Sequence, residues 1–122
     1  YNRAYAYLAA TDYPTAEAWL KEFLNRHPKD KLAENAWYWL GEVQMVRNNP
    51  SGAVVSFRNG LRAFPSGTKS AANLFKMGMA LEQLQQPELA KGAWDKLIKD
   101  HPKSPEAARA KDKLLTLKRP AA

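Results

Sequence analysis

At 122 residues, the chain has the length of one domain. Hydrophobic residues make up 45% and charged residues 25%, a balance typical of folded rather than disordered proteins. The formal net charge of +7 raises the question of a nucleic acid or an acidic partner, and the lack of cysteine excludes disulfides and thiol chemistry. No apolar run approaches the roughly 18 residues that a membrane-spanning helix requires.

The chain is predicted to form seven helices joined by short turns. No alternating pattern of useful length predicts a strand. Because the connections are short, we expect neighbouring helices to form antiparallel hairpins. The predicted helices cover residues 2–10, 14–27, 32–47, 50–64, 69–84, 87–100 and 104–118.

A three-residue stripe recurs with a period of 37 residues. Steps of four residues place its members on one helix face, and a proline four residues later ends each helix. A fixed period of about 20 to 50 residues is the signature of a solenoid. The stripes and their prolines are Ala16, Leu20, Leu24 and Pro28; Ala53, Phe57, Leu61 and Pro65; and Ala90, Trp94, Ile98 and Pro102.

Gly41 and Gly78 share the same period and lie inside predicted helices. Glycine costs about 1 kcal/mol relative to alanine within a helix, so two at matching positions need a structural reason. Close approach of a packed partner helix is the simplest one.

These repeated positions resemble the tetratricopeptide repeat. Gln44 departs from the tyrosine of that consensus and Gly60 from its alanine, and the longer period lengthens each connection between repeats. The resemblance implies an all-α, right-handed solenoid in a single domain of residues 1–122. Three hairpins, at about residues 1–30, 31–67 and 68–104, precede a C-terminal capping helix at 104–119. We expect this helix to cover the end of the core by burying Ala108, Leu114, Leu115 and Leu117 to some degree. The matching residues are Tyr7, Ala16, Leu20, Pro28, Trp37, Leu40, Gly41, Ala53, Phe57, Pro65, Leu74, Met77, Gly78, Leu81, Ala90, Trp94 and Pro102.

A narrower resemblance rests on residues 1–5 and 12–13, on the run AENAWYWLGE at 33–42, and on HPKSPEA at 101–107. Together these segments resemble the C-terminal domain of the Tol-Pal-associated periplasmic family YbgF/CpoB. That resemblance implies a non-catalytic periplasmic adaptor of the Tol-Pal system. It would bind TolA, and a bifunctional penicillin-binding protein would be a second partner. Its role would be to coordinate outer-membrane constriction with peptidoglycan synthesis during cell division.

Other assignments stay open beside the Tol-Pal one. Some outer-membrane assembly lipoproteins carry similar repeats, and a regulatory domain detached from an enzyme is a further alternative. The N-terminal coiled coil of the YbgF/CpoB family is absent from this sequence, so we expect the isolated domain to be monomeric. Trimerisation would require that coiled coil. The sequence opens at Tyr1 without an initiating Met, which is typical of a mature or trimmed fragment.

The sequence supplies little for catalysis, cofactors or metals. His27 and His101 lie two periods apart with Phe64 between them, which indicates a helix-end position rather than a catalytic or metal site. No glycine-rich phosphate loop is present, so we predict no enzyme activity and no cofactor. Nucleic-acid binding is disfavoured because the aromatic residues fall on core positions. A basic concentration near the end is best explained as a solvated helix face, with an acidic protein or a membrane surface as the alternative. It contains Lys103, Arg109, Lys111, Lys113, Lys118 and Arg119.

The first helix of each hairpin is apolar on a second face. In a solenoid the first helices line the concave side, so this face predicts a groove that binds a protein or peptide segment. The alternative is that the same side chains pack against the neighbouring repeat. The predicted groove residues are Tyr5, Leu8, Asn35, Tyr38, Trp39, Glu42, Met45, Phe75, Lys76 and Met79.

Overall fold

A computed structural model describes residues 2–118, apart from the side chains of Ala9 and Lys118. Every regular element in this part of the chain is an α-helix, which confirms the predicted all-α class. Each helix boundary lies within one residue of its predicted position. Tyr1, Arg119 and the Lys118 side chain, which entered the sequence predictions, lie outside the description. The helices are α1 (Asn2–Ala9), α2 (Tyr13–Arg26), α3 (Ala33–Val46), α4 (Pro50–Ala63), α5 (Ser70–Gln83), α6 (Pro87–Asp100) and α7 (Pro105–Lys118).

The helices stack in hairpins, as expected for a solenoid. Within each hairpin α1 packs on α2, α3 on α4 and α5 on α6, and each second helix packs on the first helix of the next hairpin. The helices α3, α5 and α7 also contact one another in series, whereas the described parts of α2, α4 and α6 do not. The first helices therefore lie on the inner, concave side, and the second helices lie on the convex side.

The repeated stripes form the core between the two layers. Leu20, Phe57 and Trp94 hold equivalent positions and are completely buried. A Cβ atom on Gly41 would overlap the Phe57 ring, and one on Gly78 would overlap the Trp94 ring. The two helix glycines therefore admit aromatic rings of the partner helix, as their spacing predicted.

The turn between the two helices of each hairpin has one repeated geometry. The backbone enters the left-handed region at Thr11, Asn48 and Gln85, with φ of 60°, 60° and 57°. After each of them, the next N–H donates to a carbonyl five residues back, at 2.8 to 3.0 Å. This bond pattern ends a helix with a left-handed residue, a place that usually takes glycine. A proline then begins α4 and α6, and Pro14 lies in the first turn of α2.

The connection between the second and third hairpins is held by a buried carboxylate. Glu34 on α3 accepts hydrogen bonds from the hydroxyl of Thr68 at 3.3 Å and from the backbone N–H of Lys69 at 3.1 Å. A Cβ atom on Gly67 would overlap this carboxylate, so the loop passes directly over Glu34. The loop is thereby fixed to a helix more than 30 residues earlier.

The final helix covers the end of the core with a different stripe from the one predicted. Ala107 and Ala110 are buried and Leu114 and Leu117 are half-buried, at steps of three and four residues. The predicted burial of Leu114 and Leu117 agrees with the structure, whereas the predicted burial of Ala108 and Leu115 is wrong. Both are exposed, Leu115 to 61%, because they point away from α5 and α6. In register, Leu115 stands where α3 has Gly41 and α5 has Gly78.

Candidate protein-binding surface

The concave side carries an apolar surface across α1, α3 and α5. The Tyr5 ring meets the Trp39 ring edge-on, with 6.4 Å between the centroids. Val46 lies seven residues after Trp39 on the same face of α3, and its side chain is 59% exposed. An apolar side chain that stays open to solvent next to aromatic neighbours is a feature of protein-binding surfaces.

Two cavities flank α3 on this surface. One, of about 180 Å³, lies toward α1 and the start of α2 and is lined by Leu8, Tyr13 and Trp39. The other, of about 280 Å³, lies toward α5 and is lined by Met45, Met79 and others. Glu42 and Val46 line both cavities, so they form the ridge between them. We call this surface the concave groove; its residues are Tyr5, Leu8, Trp39, Glu42, Met45, Val46, Lys76, Met79 and Gln83.

Ion pairs cross the concave side between neighbouring first helices. Lys76 Nζ on α5 lies 3.5 Å from Glu42 Oε2 on α3. Lys113 Nζ on α7 lies 2.9 Å from Glu82 Oε1 on α5. All four side chains are partly exposed, so these pairs contribute little to stability. They instead place fixed charges beside the apolar surface, and such charges favour some partners over others.

Tyr38 lies beside the groove, toward α7. Its ring is half-buried, with the ammonium of Lys69 4.9 Å from the ring centroid and the Phe57 ring 6.1 Å away. Burial, with further contributions from the carboxylates of Glu42 and Glu106, raises the pKa of Tyr38 to about 12. The phenol therefore stays neutral at physiological pH and offers one O–H donor at the edge of the groove.

The structure brings together most of the predicted groove residues and separates a few. Leu8, Trp39, Glu42, Met45, Lys76 and Met79 line the two cavities, and Tyr5 adjoins them. Tyr38 is half-buried on the side of α3 that leads toward α7, and Asn35, three residues earlier, is also half-buried. Phe75 is only 8% exposed, and its ring packs 6.4 Å from that of Trp94, so it supports the core below the groove.

The sequence marks Val46 as apolar outside the packing face and Gln83 as a groove candidate, but the predicted set of ten residues left both out. Val46 follows Glu42 by four residues, and Gln83 follows Met79 by four. A helix face continues at that spacing, so extending the predicted face by one turn would have reached both residues.

The described residues offer no evident site for metal chemistry. Within residues 2–118 no group of three or more His, Asp or Glu side chains is placed to hold an ion. His27 and His101 lie at the C-terminal caps of α2 and α6, and Phe64 holds the same place after α4. This is the helix-end position that their spacing indicated.

Comparison with known proteins identifies a family. None of the helices described here combines the length and apolar character needed to cross a bilayer. No curated protein matches the chain. The family model YfiO, described as an outer membrane lipoprotein, matches residues 1–122, whereas the match gives no particular support to YbgF/CpoB. The chain therefore belongs to the YfiO family of outer membrane lipoproteins, a family of the cell envelope with tetratricopeptide-like repeats.

Proposed function

We propose that this chain is a non-catalytic protein-interaction module that binds a segment of another protein in the concave groove. The observation that carries the proposal is the position of Val46. Its side chain is 59% exposed and stands between two cavities lined by apolar residues. Burying an exposed valine and its surroundings supplies the non-directional part of binding, at about 25 cal/mol per Å² of apolar area.

The groove also carries features that select what it binds. Met45 and Met79 have flexible side chains that adapt to different partner surfaces. The Glu42–Lys76 pair presents both charge signs side by side, so a partner with one cation and one anion at matching positions is favoured. Apolar cavities on both sides of one ridge suit side chains spaced by a helical turn or by two residues of extended chain.

The location and the partner are narrower parts of this proposal. The family match supports a module of an outer-membrane lipoprotein acting in the periplasm. Within that module, we propose a role in outer-membrane assembly. The Tol-Pal adaptor, with TolA and a bifunctional penicillin-binding protein as partners, is the second candidate and rests on the runs at 33–42 and 101–107.

The experiment compares two substitutions at equally exposed apolar side chains. Val46→Asp places a charge in the groove, whereas Leu89→Asp places one on α6, where the leucine is also 59% exposed. Both variants and the unmodified chain are immobilised and exposed to periplasmic extract, and the retained proteins are identified by mass spectrometry. We expect Val46→Asp to lose partners that Leu89→Asp keeps. Equal retention by both variants would contradict the groove assignment.

The Tol-Pal version has its own test with purified TolA. Isothermal titration of TolA into the chain should give a saturable signal that Val46→Asp weakens by roughly 10-fold or more, as expected for a central contact. If TolA gives no signal while the groove retains other envelope proteins, the module remains and the Tol-Pal assignment is wrong.

A further inference from the structure

A second and larger cavity lies on the opposite, convex side, between α2 and α4. Its volume is about 620 Å³, and it is open to solvent. Leu24, Trp37 and Leu40 form an apolar floor, and Val55, which is 44% exposed, stands at its α4 wall. We call it the convex cleft. The concave groove does not share a residue with it.

The lining of this cleft is not dictated by the repeat. Gln44, Gly52 and Ser56 line it, whereas the positions 37 residues later hold Leu81, Leu89 and Ala93. The Ser56 hydroxyl and the Gln44 amide form a buried hydrogen bond of 2.5 Å. The second repeat therefore presents polar groups to this cleft where the third repeat has a leucine and an alanine.

Gly52 keeps the polar groups of the cleft close together. A Cβ atom there would overlap the amide nitrogen of Asn49 and lie 3.1 Å from that of Gln44. Asn49 Oδ1 accepts the Gly52 N–H at 3.1 Å, which leaves the Asn49 amide hydrogens available. Asn25, on the α2 wall, has no hydrogen bond within the described chain. Two amides on opposite walls can thus bond to the N–H and C=O groups of an extended backbone.

The charges around the cleft are mostly positive. Glu17 on α2 is held by Lys21 at 2.8 Å and by Arg47 at 3.1 Å. Burial acts to raise the pKa of Glu17, but the hydrogen bonds and charges of these two cations outweigh it and lower the pKa, so the carboxylate stays ionised and paired with both cations. Lys21 lines the cleft, and Arg62 follows Val55 by seven residues on the same face of α4. The α4 helix contains no acidic residue, and Arg62 forms no ion pair within the described chain.

We infer that the convex cleft is a second protein-binding site, which takes an extended segment carrying an apolar side chain flanked by carboxylates. The apolar side chain lies on the floor formed by Leu24, Trp37 and Leu40. The backbone bonds to Asn25 and Asn49, and the carboxylates face Lys21 and Arg62. The domain then holds two protein segments at once, one on each side of the solenoid.

A blocked heptapeptide of alternating aspartate and leucine is the probe, titrated into the whole ¹⁵N-labelled chain. Amide shifts are expected on α2 and α4, with a dissociation constant of about 1 mM or below. A heptapeptide with lysine in place of aspartate should bind at least roughly fivefold more weakly, because its charges repel the rim. No shifts up to about 5 mM aspartate peptide, or equal binding of the lysine peptide, overturns the inference.

Two matched pairs of variants locate the site. Val55→Asp should weaken the aspartate peptide roughly fivefold or more, whereas Ala18→Asp, at the same repeat position on α2 and outside the lining, should not. Arg62→Glu should weaken it, whereas Lys99→Glu, at the same repeat position on α6, should not. Equal effects within either pair contradict the site. Shifts confined to groove residues that vanish in Val46→Asp would overturn this inference while supporting the proposed function.

Discussion

The indole ring of Trp94 lies directly against the backbone of Gly78, in the space that a Cβ atom would fill. Its Nε1–H donates to the Phe75 carbonyl oxygen at 3.2 Å, so the ring is fixed by a hydrogen bond as well as by packing. Phe57 stands in the same relation to Gly41. These contacts set the distance between the two helices of a hairpin, which makes the two glycines structural rather than functional.

Alanine at these positions should therefore destabilise the fold. Gly41→Ala and Gly78→Ala are each expected to reduce the free energy of unfolding by about 1–3 kcal/mol, because a buried ring must move. Gly92→Ala is the control, since a Cβ there meets no atom within 4 Å. It should increase stability by up to about 1 kcal/mol through helix propensity. Urea unfolding measures all three, and similar values for the three variants would disprove the contact argument.

Asn73 and Ser70 are both completely buried on α5 but differ in how their polar atoms are satisfied. The Ser70 hydroxyl has two acceptors within hydrogen-bond distance, the carbonyls of Phe64 at 3.0 Å and Pro65 at 3.3 Å, whereas neither amide atom of Asn73 has a partner in the described chain. We expect Ser70→Ala to destabilise by about 1 kcal/mol and Asn73→Ala to stabilise by about as much, because a desolvated amide is removed. Chemical denaturation gives both values, and a large loss for Asn73→Ala would reveal a partner for its amide.

The left-handed turn residues offer a route to higher stability. Thr11 and Gln85 adopt positive φ without being glycine, and the β-branched Thr11 is the less suited of the two. Thr11→Gly should raise the melting temperature by about 3 °C or more, and Gln85→Gly by less. Asn48 tolerates this region better, so Asn48→Gly should change least. Calorimetry measures the melting temperatures of the three variants. A lower melting temperature for Thr11→Gly would contradict backbone strain at Thr11.

Tyr38 should make stability fall at alkaline pH. Its pKa is raised to about 12 in the folded chain, above the usual value near 10. The neutral phenol therefore stabilises the fold fully below about pH 10, and this contribution is lost as the pH rises toward 12. Tyr38→Phe should lose less unfolding free energy than the unmodified chain between about pH 9.5 and 11.5. Identical losses in the two proteins would show that the phenol titrates normally.

Most of the fold could be predicted from the period of 37 residues, because equivalent positions have the same packing role in each hairpin. Spacing alone predicted the buried stripes that contain Leu20, Phe57 and Trp94. It also predicted the close helix contacts at Gly41 and Gly78. Spacing cannot tell whether the second apolar face of a first helix is exposed or packs against the neighbouring repeat, because apolar residues are expected in both cases. Phe75 illustrates this limit, because it repeats the position of Tyr38 yet lies against Trp94 beneath the surface.

The convex cleft was harder to predict, although a departure from the repeat marked it. Gln44 stands where the repeat consensus has tyrosine, and this difference predicts weaker packing at that position. Only the structure places Gln44 beside Gly52 and Ser56 and shows that the missing bulk leaves a cavity open to solvent. A substitution in one repeat is thus a guide to a site when its neighbours are substituted together.

Leu115 gives α7 a property that α3 and α5 lack. On α3 and α5 this position is a glycine, against which an aromatic ring of the partner helix packs. On α7 it is a leucine whose side chain is 61% exposed. A second helix packed on α7 as α4 packs on α3 would meet this side chain at the place where the Phe57 ring meets Gly41. Whatever meets this end of the molecule must approach at a wider spacing.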